Sequence, residues 1–259
     1  FIIMISFEIK NNVAYILLDR PDKYHSFVKE MALELQEKIS LCQSDNEIRA
    51  VVLTAKGKAF CAGQDLKEAT DPNGPGLQKI VNEHYNPIIK KIRKLEKPII
   101  CAVNGVAAGA GASIALSCDI VIAKENASFV QAFSKIGLIP DSGSTYFLPR
   151  LIGMNKASAL MMTGEAISAK EAERIGMIYK VFSEETFEEE TIKLANKLAN
   201  MPTKALALTK NLLNLSLTNS LEKQLDDEEN HQVIAGNTND YKEGVNSFLE
   251  KRKPNFKGN

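Results

Sequence analysis

Two segments of the sequence are rich in small residues that could bring backbone groups close to a bound molecule. Residues 58–66 read KAFCAGQDL and residues 104–113 read NGVAAGAGAS; small residues of this kind allow backbone to approach another group closely. The second segment joins an apolar run to an apolar helical pattern. Such a junction collects unpaired N–H groups and the positive end of a helix dipole. It predicts a site for an anion or a developing oxyanion, with close packing of the helix as the alternative.

A third segment, residues 137–145, is a loop that leads into a helix and contains the carboxylate of Asp141. Two interpretations of this residue stay open. It could act as an acid or base, in which case an apolar pocket should raise its pKa. It could also cap the helix that begins near Ser142, because a side-chain oxygen satisfies free N–H groups at a helix start.

Composition argues against several other kinds of protein. The chain has 259 residues with 32 Lys and Arg against 32 Asp and Glu, so it lacks the basic excess of proteins that neutralise nucleic-acid phosphates. Its four cysteines form no CxxC pair and its three histidines are far apart, which argues against a metal site and favours free, buried thiols. The apolar N-terminus lacks the basic region and cleavage site of an export signal, and no apolar run approaches membrane-spanning length. We expect a cytoplasmic protein that binds neither nucleic acid nor membrane.

The elements that must position these segments alternate between strand and helix. Apolar runs at residues 5–9 and 13–18 flank the turn pair Asn11-Asn12, which predicts a β-hairpin. Period and breaker residues predict further strands at 50–54, 98–103, 119–123, 127–130 and 177–181, and helices from about 28 and over 77–95. This alternation favours βαβ units and a largely parallel sheet.

The predicted secondary structure changes near residue 183, after which no strand pattern appears. Four helical patterns follow, near 185–199, 203–217, 219–235 and 239–251. Acidic residues between 184 and 190 predict a solvated helix start that complements the helix dipole, rather than a surface for a cationic partner. The sequence therefore predicts two regions, residues 1–183 and residues 184–259.

Short motifs in a fixed order carry a family resemblance. They are FCAGQDL at 60–66, AVNGVAAGAG at 102–111, SCDI at 117–120 and GLIPD at 137–141. This set resembles the crotonase (enoyl-CoA hydratase/isomerase) superfamily, and the resemblance extends from Arg20-Pro21 to Phe256-Lys257. It implies an α/β fold in which residues 1–183 form a crotonase-like ββα spiral and residues 184–259 a helical C-terminal trimerisation region.

The resemblance also implies a substrate and a site. Members of the superfamily act on acyl-CoA thioesters, whose carbonyl oxygen lies between two backbone N–H groups; the matching donors here are Gln64 and Ala110. Coenzyme A is part of the substrate, so no separate cofactor is implied. The loop residues that match the adenine and pantetheine contacts of the family are Ala62, Asp65 and Leu66. Asp65 itself is better explained as a carboxylate that orders the loop.

At the C-terminus, the resemblance implies that Phe256 and Lys257 contact the adenosine bound by a neighbouring subunit, in a homotrimer or a dimer of trimers. A solvated basic tail is the alternative. His25 stands where the family usually has asparagine after Arg20-Pro21. We predict a surface position for His25, with a contact to coenzyme A as the alternative.

Departures from the family pattern narrow the chemistry. Hydratases of the superfamily use two glutamates, and the matching positions are Ser113 and Phe133, neither of which is an acid or base near neutral pH. Asp141 matches the position at which isomerases of the superfamily carry their carboxylate. One carboxylate suits a proton shuttle, and Phe133, with Ile136 and Leu138, would form the wall of its pocket.

Within the superfamily, the segments 64–66, 107–111, 140–143 and 240–256 are most similar to the 1,2-epoxyphenylacetyl-CoA isomerases of phenylacetate catabolism. That subfamily rearranges a ring epoxide and also shifts double bonds in unsaturated acyl-CoA. The resemblance therefore implies an isomerase of phenylacetate or fatty acid metabolism. The alternatives are an enoyl-CoA hydratase, an aroyl-CoA dehalogenase-like enzyme in which Asp141 is a nucleophile, and a non-catalytic acyl-CoA or RNA-binding relative. Balanced charge and the retained Asp141 disfavour the last.

Overall fold

The computed structural model describes residues 3–259 and places their strands in two sheets. The strands are β1 (Ile5–Lys10), β2 (Val13–Leu18), β3 (Ala50–Ala55), β4 (Ala59–Cys61), β5 (Ile99–Val103), β6 (Val106–Ala108), β7 (Ile120–Lys124), β8 (Ser128–Val130), β9 (Ala166–Ser168) and β10 (Lys180–Phe182). The larger sheet has the order β1-β2-β3-β5-β7-β10, and the smaller has the order β4-β6-β8-β9.

Helices cover both sheets and make up most of the C-terminal third. They are α1 (Lys29–Ser44), α2 (Leu66–Thr70), α3 (Gly76–Lys79), α4 (Asn86–Lys94), α5 (Ala110–Ser117), α6 (Ser144–Ile152), α7 (Met154–Thr163), α8 (Ala169–Arg174), α9 (Phe187–Ala199), α10 (Thr203–Leu215), α11 (Leu221–Gly236) and α12 (Asn239–Leu249). The helix predicted over 77–95 is divided, because a π-helical segment, Ile80–Tyr85, joins α3 to α4.

The predicted hairpin is confirmed. Strands β1 and β2 pair antiparallel, with Lys10 opposite Val13. Asn11 and Asn12 between them have φ of 51° and 61°. A two-residue hairpin turn needs positive φ at both central positions, and asparagine tolerates this conformation better than most residues. The turn pair therefore sets the register of the first two strands.

The larger sheet is parallel beyond β1 and is buried on both faces. Along β3, Val51 and Leu53 face one hydrophobic cluster, which includes the inward face of α1. Ala50 and Val52 face a second cluster, on which α9 packs through Phe187 and Ala195. Burial on both faces explains why β3 and β5 read as continuous apolar runs, as predicted.

The predicted strand at 177–181 is wrong in position. The strand is β10, Lys180–Phe182, which pairs parallel with β7. The preceding Met177 and Ile178 are buried in a turn, where both N–H groups donate to the carbonyl of Ala172 at the end of α8. The apolar residues Met177 and Ile178 therefore pack in the core without pairing in a strand.

The smaller sheet consists of three-residue strands, of which the sequence analysis predicted β8, at 127–130, but not β4, β6 or β9. β4, β6 and β8 run parallel, and β9 pairs antiparallel with β8. Because β4 and β6 are neighbours in the same direction, the residues that follow them come together at one edge. This edge brings residues 62–65 next to residues 109–111.

Beyond β10 the chain is helical to Leu249, and α9 to α12 correspond to the four predicted helices. Together with the two sheets, this confirms the predicted α/β architecture and its helical C-terminal region. Nothing in residues 3–259 forms a helix long and apolar enough to cross a membrane.

Candidate active site

Two backbone N–H groups meet at the edge of the smaller sheet. Gln64 follows β4, and Ala110 opens α5 after β6. A Cβ placed on Gly63 would lie 3.4 Å from Ala110 N, so the two segments are in close contact. Within residues 3–259, neither the Gln64 N–H nor the Ala110 N–H donates a hydrogen bond. The pair can therefore bind an oxygen that carries negative charge.

A short bridge to Phe27 fixes the direction of the Gln64 peptide. The Phe27 N–H donates to the Gly63 carbonyl at 2.7 Å, and the Asp65 N–H donates to the Phe27 carbonyl at 2.9 Å. In a parallel bridge of this kind the residue between the two bonded neighbours turns its own N–H to the opposite side. The Gln64 N–H therefore points away from Phe27.

The glycines of the second segment have a packing role, as the alternative interpretation predicts. A Cβ on Gly105 would lie 2.0 Å from the carbonyl oxygen of Lys58, and a Cβ on Gly111 would lie 2.6 Å from Cys61. Helix α5 packs closely on β4 at Gly111, and its first N–H, at Ala110, nevertheless has no hydrogen-bond partner among the residues described. Both interpretations of this segment therefore apply. The Gly109 N–H donates to the Val130 carbonyl at 2.9 Å and holds this helix start in the sheet.

Asp141 lies in the loop before α6 and is partly buried. Burial raises the pKa of its carboxyl group, and the Ser142 hydroxyl, which donates to Oδ1 at 2.8 Å, opposes part of that rise. Across the described chain, no Lys, Arg or His lies within salt-bridge distance of this carboxylate. A carboxyl group whose proton is held more tightly than usual is suited to acid and base work near neutral pH.

The interpretation of Asp141 as a helix cap is wrong. Helix α6 begins at Ser144 with Gly143 as its N-cap and has no side-chain cap. The Ser144 N–H does bond to Asp141 at 3.0 Å, but to the backbone carbonyl. The carboxylate is therefore left without a structural task in the helix.

The two positions predicted to match the glutamates of hydratases hold side chains that are not acids or bases near neutral pH. Ser113 is fully buried in α5, and its hydroxyl donates to the Gly109 carbonyl at 3.2 Å. Phe133 is buried, and its ring lies 3.8 Å from a Cβ placed on Gly109, so it forms a wall next to the Ala110 helix start. The other two predicted wall residues, Ile136 and Leu138, are 54% and 38% exposed.

Asp65 orders the loop, as predicted. Its Oδ2 accepts a hydrogen bond from Arg20 at 2.8 Å, and its Oδ1 caps α2 by accepting from the Lys67 N–H at 3.0 Å. Burial works to raise the pKa of Asp65, but the bonds from Arg20 and Lys67 outweigh it and the pKa is lowered. Its loop neighbours Ala62 and Leu66 are exposed beside it.

Phe256 and Lys257, which the resemblance predicts to contact coenzyme A, pack on other parts of their own chain. The Phe256 ring packs 3.5 Å from a Cβ placed on Gly244 of α12, and its carbonyl accepts from Arg49 at 2.8 Å. The Lys257 N–H donates to the Asp240 carboxylate at 2.6 Å, while the Lys257 side chain is exposed. Their contacts are with α12 and with Arg49, and not with Asp141 or Gln64.

His25 is not a surface residue; that prediction is wrong. It is 1% exposed, its Nδ1 accepts from the Arg20 N–H at 2.9 Å, and its Nε2 lies 2.7 Å from the Lys56 carbonyl. Burial lowers the pKa of the imidazole, which favours the neutral ring. With Nδ1 as acceptor and Nε2 as donor, the ring is in a single neutral tautomer. Its two hydrogen bonds hold the loop at 20–26 against the end of β3.

Tyr85 is a buried residue at this site that the sequence analysis missed. It comes from the π-helical segment, and its hydroxyl donates to the Gln64 Oε1 at 2.9 Å. The helical pattern predicted a helix over 77–95 but gave no signal that a hydroxyl reaches the Gln64 loop.

Within residues 3–259, a separate cavity, the cysteines and the candidate metal ligands give no second site that includes Gln64, Ala110 or Asp141. A cavity of about 580 Å³ lies between α4, α6, α10 and α11, and its lining includes Arg93, Phe147 and Lys210 but none of the residues above. In the part of the chain described, no three His, Cys, Asp or Glu side chains are arranged to hold a metal ion. All four cysteines are free and buried, as predicted.

Comparison with known proteins identifies a family. The family model described as enoyl-CoA hydratase/isomerase matches residues 8–259. The chain is 47% identical over 253 residues to the 1,2-epoxyphenylacetyl-CoA isomerase of Escherichia coli (strain K12), which covers 96% of this chain and 97% of that protein. It is 35% identical to the mitochondrial enoyl-CoA hydratase of Pongo abelii, over 95% of this chain and 84% of that protein.

A solved structure of an enoyl-CoA hydratase from Bacillus anthracis superposes with a TM-score of 0.92 at 34% identity, and covers 99% of this chain and 100% of that chain. This likeness confirms the fold prediction of a crotonase-like spiral. Relatives named as isomerases and as hydratases share the fold, so fold alone does not select the reaction.

Proposed function

The chain belongs to the enoyl-CoA hydratase/isomerase family, and within it we propose that this protein is an acyl-CoA isomerase that shifts a double bond or rearranges a ring epoxide. The observation that carries the proposal is the state of three positions: Asp141 keeps a carboxylate with a raised pKa, while Ser113 and Phe133 offer no second acid or base. The E. coli relative with 47% identity is named as an isomerase, which supports the same reaction class.

The Gln64 and Ala110 N–H groups form the oxyanion hole of the proposed mechanism. They donate hydrogen bonds to the thioester carbonyl oxygen, which becomes negative when a proton leaves the neighbouring carbon. Both donors are fixed before the substrate arrives, so no reorganisation is needed when the charge develops. Loss of one such donor typically costs about 100- to 1,000-fold in rate.

Asp141 moves the proton. For a 3-enoyl thioester, its carboxylate takes a proton from the carbon next to the carbonyl, and the electron pair passes to the carbonyl oxygen. The protonated Asp141 then returns the proton to the far carbon of the same unit, the electron pair returns from the oxygen, and the double bond ends next to the carbonyl. One group performs both steps because its proton is neither lost to solvent nor passed on.

In this proposal the substrate binds to the loop after β4 of one subunit and to the C-terminus of a neighbouring subunit. Ala62, Asp65 and Leu66 would contact the coenzyme A moiety, and Phe133 would form part of the acyl pocket. Phe256 and Lys257 would reach coenzyme A bound by a neighbouring subunit of a homotrimer or a dimer of trimers, since in their own chain they pack on α12. Coenzyme A is part of the substrate, and the mechanism uses no further cofactor.

Hydration is the second candidate, because relatives such as the Pongo abelii enzyme are named hydratases. Hydration needs a group that activates water as well as a group that protonates carbon. The buried Ser113 hydroxyl already donates to the Gly109 carbonyl, and the Phe133 ring has no proton to exchange. The residues at these two positions therefore favour isomerisation.

The test is turnover of three thioesters: 3-hexenoyl-CoA, crotonyl-CoA and an epoxide derived from phenylacetyl-CoA. We expect isomerisation of the first or rearrangement of the third, and slow hydration of crotonyl-CoA. Asp141→Asn should abolish turnover while binding of hexanoyl-CoA, a saturated thioester, stays within about twofold, since the amide matches the shape of the carboxyl group.

Ser142→Ala is the matched control, because it removes only the hydrogen bond to the Asp141 carboxylate and leaves the carboxylate itself. Rapid hydration of crotonyl-CoA, or full turnover by Asp141→Asn, would contradict the proposal. A stable ester formed on Asp141, detected by mass spectrometry, would instead indicate a nucleophile.

A further inference from the structure

Tyr85 occupies an unusual position on the helical segment that runs from residue 76 to residue 94. The π-helical turn Ile80–Tyr85 inserts an extra residue into the helix, so that the consecutive residues His84 and Tyr85 are both buried. Such an insertion changes which of the following residues face the core. The insertion thus aims the Tyr85 phenol at the Gln64 loop while the rest of the helix continues to pack on α1.

The Tyr85 phenol holds the Gln64 side chain in one orientation. Its hydroxyl donates to Gln64 Oε1 at 2.9 Å, and Gln64 Nε2 donates to Glu68 Oε2 at 2.8 Å. The other oxygen of Glu68 accepts from the Lys29 N–H at 2.8 Å. The amide cannot be reversed, because its oxygen would then face a carboxylate that only accepts hydrogen bonds.

Tyr85 also supports the partner of the Gln64 peptide. Its ring lies 5.8 Å from the Phe27 ring, in a tilted arrangement at 57°. Phe27 is the residue whose backbone brackets Gln64 from one side. Tyr85 therefore contacts both sides of the bridge, one through a hydrogen bond and the other through its ring.

The phenol is suited to this task because it stays protonated. It is 1% exposed, and burial raises its pKa well above the ordinary value; nearby acidic groups, among them Asp141, raise it further.

We propose that Tyr85 is a positioning residue for the oxyanion hole: its hydroxyl fixes the Gln64 side chain and, through it, the direction of the Gln64 N–H. The inference rests on the proposed role of that N–H group. Tyr85 does not contact the thioester; it limits the freedom of a donor whose alignment sets the rate.

Tyr85→Phe tests the proposal because it removes one hydroxyl and keeps the ring against Phe27. Loss of a single neutral hydrogen bond predicts a fall in kcat of about 3- to 10-fold. KM for 3-hexenoyl-CoA should stay within about twofold, since the coenzyme A contacts are untouched. Tyr179→Phe is the control, because Tyr179 is 65% exposed and lies far along the chain from the site.

A double-mutant cycle assigns the effect to the contact. Gln64→Leu removes the same hydrogen bond from the other side, so the double variant should lose no more activity than the greater of the two single losses. Multiplying losses would mean that Tyr85 acts through another group and would overturn the proposal, as would an unchanged kcat in Tyr85→Phe.

The carbonyl stretch of bound hexanoyl-CoA, labelled with ¹³C at the carbonyl carbon, reports on the oxyanion hole without turnover. In the unaltered protein the band should shift to lower frequency on binding, and in Tyr85→Phe the shift should be smaller. An equal shift in both proteins refutes the role of Tyr85. This measurement needs no reaction, so it tests the role of Tyr85 even if Asp141→Asn keeps its activity and the proposed function fails. If Asp141→Asn is inactive while Tyr85→Phe has the kcat and band shift of the unaltered protein, only the role of Tyr85 is refuted.

Discussion

Substitution of Gly63 by alanine is a direct probe of the two backbone donors. Gly63 has a φ of +91°, and a Cβ at this position would lie 3.0 Å from the Ala108 carbonyl oxygen and 3.4 Å from Ala110 N. The added methyl group would therefore enter the contact between the loop after β4 and the start of α5. The donors at Gln64 and Ala110 belong to these two segments, so the substitution should move them apart.

Two effects must be separated to predict the magnitude. Alanine at positive φ costs about 1–3 kcal/mol of conformational strain wherever it occurs. The second effect is local, because a carbon 3.0 Å from an oxygen must be relieved by a shift of a few tenths of an ångström. Misplacement of reacting groups by about 1 Å can cost about 100-fold in rate. Since the expected shift is a few tenths of that distance, we expect kcat to fall by about 3- to 10-fold.

Gly57→Ala is the matched control. Gly57 also has positive φ, +74°, but a Cβ there would meet only the Pro21 Cβ at 3.8 Å, an ordinary contact. The assay is the rise in ultraviolet absorbance as 3-hexenoyl-CoA becomes conjugated, with thermal unfolding of each variant measured in parallel. Equal kcat for the two variants at comparable unfolding temperatures would refute the assignment of Gln64 and Ala110 as a geometrically coupled pair.

Three further outcomes follow from the site. Because the pKa of Asp141 is raised in the folded state, the stability linked to its proton is present below the unfolded pKa and is lost as pH rises through the folded pKa; Asp141→Asn should therefore unfold at a higher temperature than the unaltered protein at pH 7, and the difference should vanish in acid, whereas a lower temperature would contradict the burial argument. Gly111→Ala should lower the free energy of unfolding by about 1–3 kcal/mol in urea titrations, because its Cβ would lie 2.6 Å from Cys61; an unchanged midpoint would show that α5 can withdraw. Arg20→Ala should raise KM and leave kcat nearly unchanged, since Asp65 loses the bond that orders the loop; an equal fall in kcat would place Arg20 closer to the chemistry.

Local sequence signals predicted the parts of the fold that local chemistry determines. The Asn11-Asn12 pair predicted a hairpin because its two residues tolerate the positive φ that the turn requires. The helix predicted from about residue 28 is α1, in which Met31, Leu35 and Ile39 recur at the helical period and are buried on one side. In both cases the determinant lies within a few residues of its effect.

The remainder depends on contacts between distant segments. Of the smaller sheet only β8 was predicted, because strands of three residues are too short for a period to be visible. His25 was misplaced because its two hydrogen bonds, to Arg20 and to the Lys56 carbonyl, exist only once the loop folds over the end of β3. The contact of Tyr85 with Gln64 depends on a π-helical turn, which changes the register of a helix without a distinctive residue. The small-residue run at 104–113 predicted an oxyanion site, but the assignment of Gln64 and Ala110 as its donors came from a family resemblance, because backbone groups leave no side-chain signature.

The absence of two glutamates alters the character of the site as well as its charge. The Ser113 hydroxyl turns back to the Gly109 carbonyl, and the Phe133 ring lies against the same glycine, so the wall next to the oxyanion donors is closed and mostly apolar. Such a wall offers no group to hold or activate a water molecule. It also leaves Asp141 without a neighbouring carboxylate at either position, so its pKa is raised by burial rather than by a like charge. In the proposed mechanism a lone base returns the proton that it takes to the same substrate, which isomerisation requires and hydration does not.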